Sequence, residues 1–127
     1  MLYVTGDVHG EHRWNKRCLP NVDKLTDEDI LFVCGDFGHI FHGNKLEESH
    51  LNGMEKYKFT IAFVDGNHEN FDLIYTYPKE IWQGGYVHRI KKTWCIYAEA
   101  RCLKLQENAF SVWVAVTPET KHYARKV

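Results

Sequence analysis

Three short apolar runs, each followed directly by a glycine-containing polar motif, constrain the fold of this chain more than any other feature. The runs are residues 2–5, 30–34 and 60–64, and the motifs that follow them are GDVHG, GDFGH and DGNHE. A continuous apolar run of this length is typical of a β-strand that is buried on both faces. We therefore predict three buried strands, each ending in a polar turn.

The segments between these runs favour helices. Residues 11–19 have the composition of a helix that ends before Pro20, residues 44–58 place apolar side chains at helical spacing, and residues 70–75 suit a short helix. Strands that alternate with helices predict an α/β fold with a βαβαβ N-terminal half and a parallel sheet. Because such crossovers are right-handed, the C-terminal ends of the strands meet at one edge, where ligands bind. The three motifs should converge there.

The motifs carry side chains that suit a divalent metal. Asp7 and His9 lie two residues apart after the first run, and a carboxylate with an imidazole is a common ligand pair for first-row metals. Asp36 follows the second run, and its two oxygens could bridge two cations about 3.5–4 Å apart. After the third run, Asn67 offers a carbonyl oxygen, and His68 beside it can point at substrate instead of metal.

In this order, GDVHG, GD and GNHE resemble the calcineurin-like metallophosphoesterase family over residues 1–92. The resemblance implies half of that family's layered β-sandwich, metal-dependent hydrolysis of phosphoesters, and two divalent ions drawn from Mn, Fe, Zn, Ni and Mg. It also implies that Asp7 and His9 hold the first metal, that Asp36 bridges, and that Asn67 holds the second. His68 would donate a proton to the leaving oxygen or steady the transition state.

The chain also departs from the family's pattern. Many members have Asp and Arg where this chain has His39 and Ile40, which weakens the case for phosphomonoesters. The family supplies further His ligands after GNHE, including a GHxH motif, whereas only His88 and His122 follow His68 and neither lies in such a motif. We therefore expect an incomplete, truncated centre with one weak metal site and weak or no activity. The alternatives are a non-catalytic remnant that binds metal or phosphate, and a purely structural fragment.

Each polar residue also has a simpler interpretation. Asp7 and Asp36 could be turn or helix-cap residues, which is the usual role of Asp after a strand. We favour the metal interpretation, because His9 and the Asn-His pair would otherwise be coincidental. His88 alternates like a strand residue and is interpreted as structural, and Cys34 as a small core residue. The other histidines of the first half are interpreted as solvated or loop residues: His12, His39, His42 and His50.

Residues 93–127 form an atypical tail behind residues 1–92. No glycine follows Gly85 and no aspartate follows Asp72, although both residue types are common in turns. One hypothesis, which we favour, is a shifted reading frame: codons permitted for the tail, read one nucleotide earlier, can encode glycine turns and a strand ending in GGSHSRD. The alternative is a divergent tail that packs as a β-hairpin.

Net charge and cysteine content indicate which compartment and which classes of partner to expect. A formal net charge of −1 gives no electrostatic reason to expect nucleic acid or an anionic membrane surface. The cysteines have no CxxC spacing, and the first residues resemble neither a signal peptide nor a membrane span. We predict a cytoplasmic protein with reduced thiols, whose partner is a phosphoester substrate, and leave its oligomeric state open.

Overall fold

The computed structural model describes residues 1–6, 8–11, 19, 21–97, 102–104 and 111–113. Eight strands lie in these residues: β1 (Leu2–Thr5), β2 (Ile30–Cys34), β3 (Thr60–Val64), β4 (Lys79–Trp82), β5 (Gly85–Lys91), β6 (Trp94–Tyr97), β7 (Cys102–Lys104) and β8 (Ser111–Trp113). The helices of the described residues are α1 (Lys45–Met54), α2 (Phe71–Ile74) and a 3-10 turn (Val22–Lys24). The three predicted strands have the predicted bounds.

Six strands form one mixed sheet in the order β1-β2-β3-β6-β5-β4. The neighbours β1, β2 and β3 run parallel, and β6 runs parallel to β3, while β5 pairs antiparallel with β6 and β4. Thr5 lies opposite Val33, and Cys34 lies opposite Val64, so the first three strands end at the same edge. The α/β fold predicted from the sequence is confirmed, and the antiparallel β4–β5 pair is an addition to it.

Apolar side chains cover both faces of this sheet. Leu31 and Val33 of β2 pack on one face with Phe63 of β3, and Ile30 and Phe32 pack on the other. Alternate residues of a strand point to opposite faces, so a run that is apolar throughout must be covered twice. The apolar runs of β2 and β3 therefore correspond to strands that are buried on both sides. The prediction of burial is wrong for β1, which lies at the edge of the sheet and whose Val4 is 62% exposed.

Helices α1 and α2 lie where the sequence predicts helices, but both are shorter than predicted. Asn44 caps α1 by accepting a hydrogen bond from the Glu47 N–H at 2.9 Å, as expected of an Asn at that position. The helix ends at Met54, although its apolar spacing predicted a helix over residues 44–58. Leu46, one of the apolar side chains at helical spacing in this segment, is 66% exposed. The predicted helix over residues 11–19 lies mainly outside the described residues.

Two interpretations of single residues are wrong. Cys34, expected in the core, is exposed, because it is the last residue of β2 and lies beyond the covered part of the sheet. His39, expected to be solvated, is buried, because the loop after β2 turns its ring against Phe37, with the ring centroids 4.8 Å apart.

Part of the predicted tail belongs to the main sheet. Trp94 is fully buried, and β6 is inserted between β3 and β5. Further along, β7 and β8 pair antiparallel, with Cys102 opposite Trp113. The boundary at residue 92 and the shifted reading frame stay predictions. No helix of the described residues has both the length and the apolar character needed to span a bilayer.

Candidate metal centre

The turns after β1 and β2 are joined through their backbones. The N–H of His9 donates to the carbonyl of Asp36 at 2.8 Å, and the N–H of Gly10 donates to the carbonyl of Phe37 at 2.8 Å. Gly10 and Gly38 meet so closely that a Cβ on Gly10 would lie 2.6 Å from the Gly38 carbonyl oxygen. Both glycines have positive φ, so a side chain would be strained there as well as crowded. The two motifs are thereby held in contact.

The turns bring together three side chains that can bind a metal. Ligand atoms of His9, Asp36 and His68 all lie within 4.8 Å of one another. The two imidazole rings meet edge to face, with their centroids 4.7 Å apart. His9 and Asp36 adopt left-handed backbone conformations, with φ of 52° and 47°. Such conformations are uncommon for residues other than glycine and are often found at functional sites.

Asp36 connects the second turn to the third. Its Oδ1 accepts a hydrogen bond from the backbone N–H of His68 at 3.1 Å. The side-chain amide of Asn67, with its nitrogen turned to the carboxylate, donates to both oxygens of Asp36 at 3.1 and 3.2 Å. A Cβ on Gly66 would lie only 2.2 Å from the Asp36 Oδ1, so this approach requires glycine. The Asp36 side chain is therefore placed next to candidate metal ligands from the turn after β1 and the turn after β3.

Glu69, the last residue of GNHE, was given no role by the sequence analysis. Its side chain is 4% exposed, and its carboxylate accepts hydrogen bonds from the N–H of Gly38 at 3.0 Å and of Gly66 at 2.8 Å. Burial raises the pKa of the Glu69 carboxyl, these two N–H groups oppose the shift, and the Asp36 charge adds to it. A glutamate at the end of the GNHE motif was the available signal, but its partner Gly38 lies 31 residues away in the sequence.

The arrangement of donors fits a divalent cation. Imidazole nitrogen with carboxylate and amide oxygen is a normal ligand set for first-row divalent metals. The amide of Asn67 serves Asp36 as a hydrogen-bond donor, and the same amide, rotated, would offer its oxygen to a cation held by Asp36. His9, Asn67 and His68 are exposed and Asp36 is half-buried, so an ion can reach them from solvent.

The remaining candidates are placed as follows. Asp7 and His122 lie outside the described residues. His88 lies on β5, where its Nδ1 is 2.8 Å from the Tyr77 carbonyl oxygen and its ring packs against Tyr75. Ile40, in the position of the family's Arg, is 1% exposed and belongs to the core.

Comparison with known proteins agrees with the motifs. The family model described as calcineurin-like phosphoesterase matches residues 1–116. No curated protein and no solved structure matches the chain. The family match spans all three motif turns and every strand of the described residues.

Proposed function

Because this chain belongs to the calcineurin-like phosphoesterase family, we propose that its three motif turns form a divalent-metal centre that hydrolyses phosphoesters. The observation that carries the proposal is the cluster of His9, Asp36 and His68, whose ligand atoms lie within 4.8 Å of one another at the edge of a largely parallel sheet. Turn residues without a shared function would not be expected to place two imidazoles and a carboxylate around one point. Mn²⁺ is the first cation to test.

Each motif residue has a role in this proposal. His9, with Asp7, would hold the first cation, Asp36 would bridge, and Asn67 would hold the second through its amide oxygen. Bound cations would promote ionisation of water near neutral pH and stabilise charge on phosphorus. His68 is exposed, and an imidazole can donate a proton to a leaving alkoxide at neutral pH.

We further propose that turnover by this chain is low. The motifs supply four protein ligands, Asp7, His9, Asp36 and Asn67, whereas two cations that share one bridging carboxylate normally need more. Among the described residues His88 adds none, since its ring contacts Tyr77 and Tyr75. The buried Ile40 cannot grip a phosphate dianion, so a diester should be handled at least as well as a monoester.

The proposed setting is the cytoplasm, with a phosphoester as the partner of the site. An exposed free thiol at Cys34 suits a reducing compartment. A fluorescent fusion imaged in cells would test the location. A signal confined to a membrane or to an exported fraction would contradict it.

The function is tested by hydrolysis of p-nitrophenyl phosphate and its bis ester with Mn²⁺, Ni²⁺ or Zn²⁺. Wild type should show slow, metal-dependent release of nitrophenol, and Asp36→Asn should show none above the metal blank. Asp23→Asn, which neutralises an exposed carboxylate outside the motifs, is the matched control and should behave as wild type. Metal binding without any hydrolysis would favour the non-catalytic alternative. Equal rates for wild type and Asp36→Asn would exclude this site as the source of activity.

A further inference from the structure

One buried carboxylate joins two of the three turns that carry the candidate ligands. The Glu69 Oε1 accepts from the N–H of Gly38 after β2, and its Oε2 accepts from the N–H of Gly66 after β3. Gly38 lies two residues beyond Asp36, and Gly66 directly precedes Asn67. The carboxylate therefore fixes the separation of the two segments from which the candidate ligands project.

The contacts around Glu69 extend this connection to the first turn. Gly38 packs against the backbone of His9 and Gly10, where an added Cβ would come within 2.7 to 2.9 Å of their atoms. A displacement of Gly38 would therefore be passed to His9. Through Gly38 and Gly66, this one side chain is connected to the backbone segments that carry all three members of the cluster.

We infer that Glu69 is a positioning residue of the metal centre, holding the turns of Gly38 and Gly66 at the separation that lets Asp36 face His9, Asn67 and His68. The inference rests on the proposed function for its metal, but it makes a separate claim about geometry. Glu69 itself accepts from backbone N–H groups and is no ligand in this scheme. Partners that orient ligands in this way typically affect metal affinity by about 10- to 100-fold.

The informative variant is Glu69→Gln, which keeps the size of the side chain but provides one acceptor oxygen. The other end of the amide is an NH₂ group, which would face a backbone N–H as donor against donor. One of the two turns must then move away. If this variant is too unstable to purify, Glu69→Asp keeps the charge but is one methylene shorter, and it carries the same expectation.

The chain offers a matched control in Glu47. Its carboxylate also accepts hydrogen bonds from backbone N–H groups, those of Phe41, His42 and Gly43, at 2.7 to 3.2 Å. It lies in α1 and contacts none of the candidate ligands in these bonds. Glu47→Gln should therefore lower thermal stability without changing the metal centre. A general effect of losing a carboxylate cap would appear in both variants.

Two measurements, made below the unfolding temperature of every variant, test the inference. The first is Mn²⁺ affinity by titration calorimetry, which should fall by about 10-fold or more in Glu69→Gln and stay unchanged in Glu47→Gln. The second, on the metal-free protein, is the nuclear Overhauser effect between the rings of His9 and His68. Their 4.7 Å centroid distance predicts this signal in wild type, and it should be lost only in Glu69→Gln.

The results of these measurements distinguish the positioning role of Glu69 from the proposed metal-dependent function. Wild-type affinity and an intact ring signal in Glu69→Gln would overturn the positioning role, and so would equal losses in the two variants. A ring signal that depends on Glu69 in a protein that binds no Mn²⁺ would refute the proposed function while the geometric role of Glu69 stands.

Discussion

Replacement of Gly66 by alanine should damage the metal centre far more than it damages the fold. A Cβ at this position would lie 2.2 Å from the Asp36 Oδ1, 2.3 Å from its backbone nitrogen and 2.8 Å from its Cγ. Ordinary contact begins near 3.4 Å, so Asp36 or the Gly66 backbone must retreat by about 1 Å. Overpacking of this kind costs about 1–3 kcal/mol of unfolding free energy.

The same displacement should also weaken metal binding. Ligand distances in metal sites are normally held within about 0.2 Å, so a retreat of about 1 Å takes Asp36 out of range. We expect Gly66→Ala to weaken Mn²⁺ binding on the order of 100-fold, the upper end for a disturbed supporting shell. The loss of stability should lower Tm by about 4 °C for each kcal/mol.

Gly53→Ala is the matched control, since it adds the same methyl group in α1, where a Cβ meets nothing within 4 Å. Alanine is the better helix former, so this variant should gain about 0.5–1 kcal/mol and bind Mn²⁺ as wild type does. Calorimetric titration and thermal unfolding measure both quantities. Wild-type affinity in a folded Gly66→Ala variant would refute the claim that the closeness of these two turns creates the site.

Three further predictions concern the role of His68, the burial of the cysteines and the cap of α1. His68→Ala should lower kcat by about 10²–10⁴-fold in a catalytically active form of the chain and keep its metal, whereas loss of metal in the same variant would make His68 a ligand. In a protein with Cys18 and Cys102 replaced by serine, Ellman's reagent at pH 8 should modify the exposed Cys34 first. Cys95 should react only on unfolding, because burial raises its pKa to about 12 and leaves little thiolate; modification of both at one rate would contradict this burial. Asn44→Ala should cost about 1 kcal/mol of unfolding free energy through loss of the α1 cap, measured by urea denaturation, and an unchanged midpoint would show that the cap contributes nothing.

The strands, and the meeting of the motif turns at one edge of the sheet, were predictable because the signals for each strand and its end are local. An apolar run that ends in glycine and a polar residue defines both the strand and its terminus, and the parallel register then aligns Thr5, Cys34 and Val64 at one edge. Convergence of His9, Asp36 and His68 follows from that alignment. Sequence alone was sufficient here, because chain topology determines which turns are neighbours.

The residues that were missed lie in loops, where no local pattern indicates what a side chain contacts. No sequence pattern shows that Glu69 joins two turns, because one of its partners, Gly38, lies 31 residues away. The burial of His39 depends on how the loop after β2 places its ring against Phe37. The β4–β5 hairpin did have a local signal, since Gln83 and Gly84 form a two-residue turn with φ of 49° and 79°, as hairpins favour.

If the three turns converge on one divalent-metal site, paramagnetic broadening by Mn²⁺ should single out the histidines of that site. Mn²⁺ is added in small steps to the protein with its histidine rings isotopically labelled, and each ring resonance is followed. The resonances of His9 and His68 should broaden together and before those of His42, His50 and His88, and Asp36→Asn should abolish this order. Broadening that begins at another histidine, or that is the same in Asp36→Asn, would contradict the account.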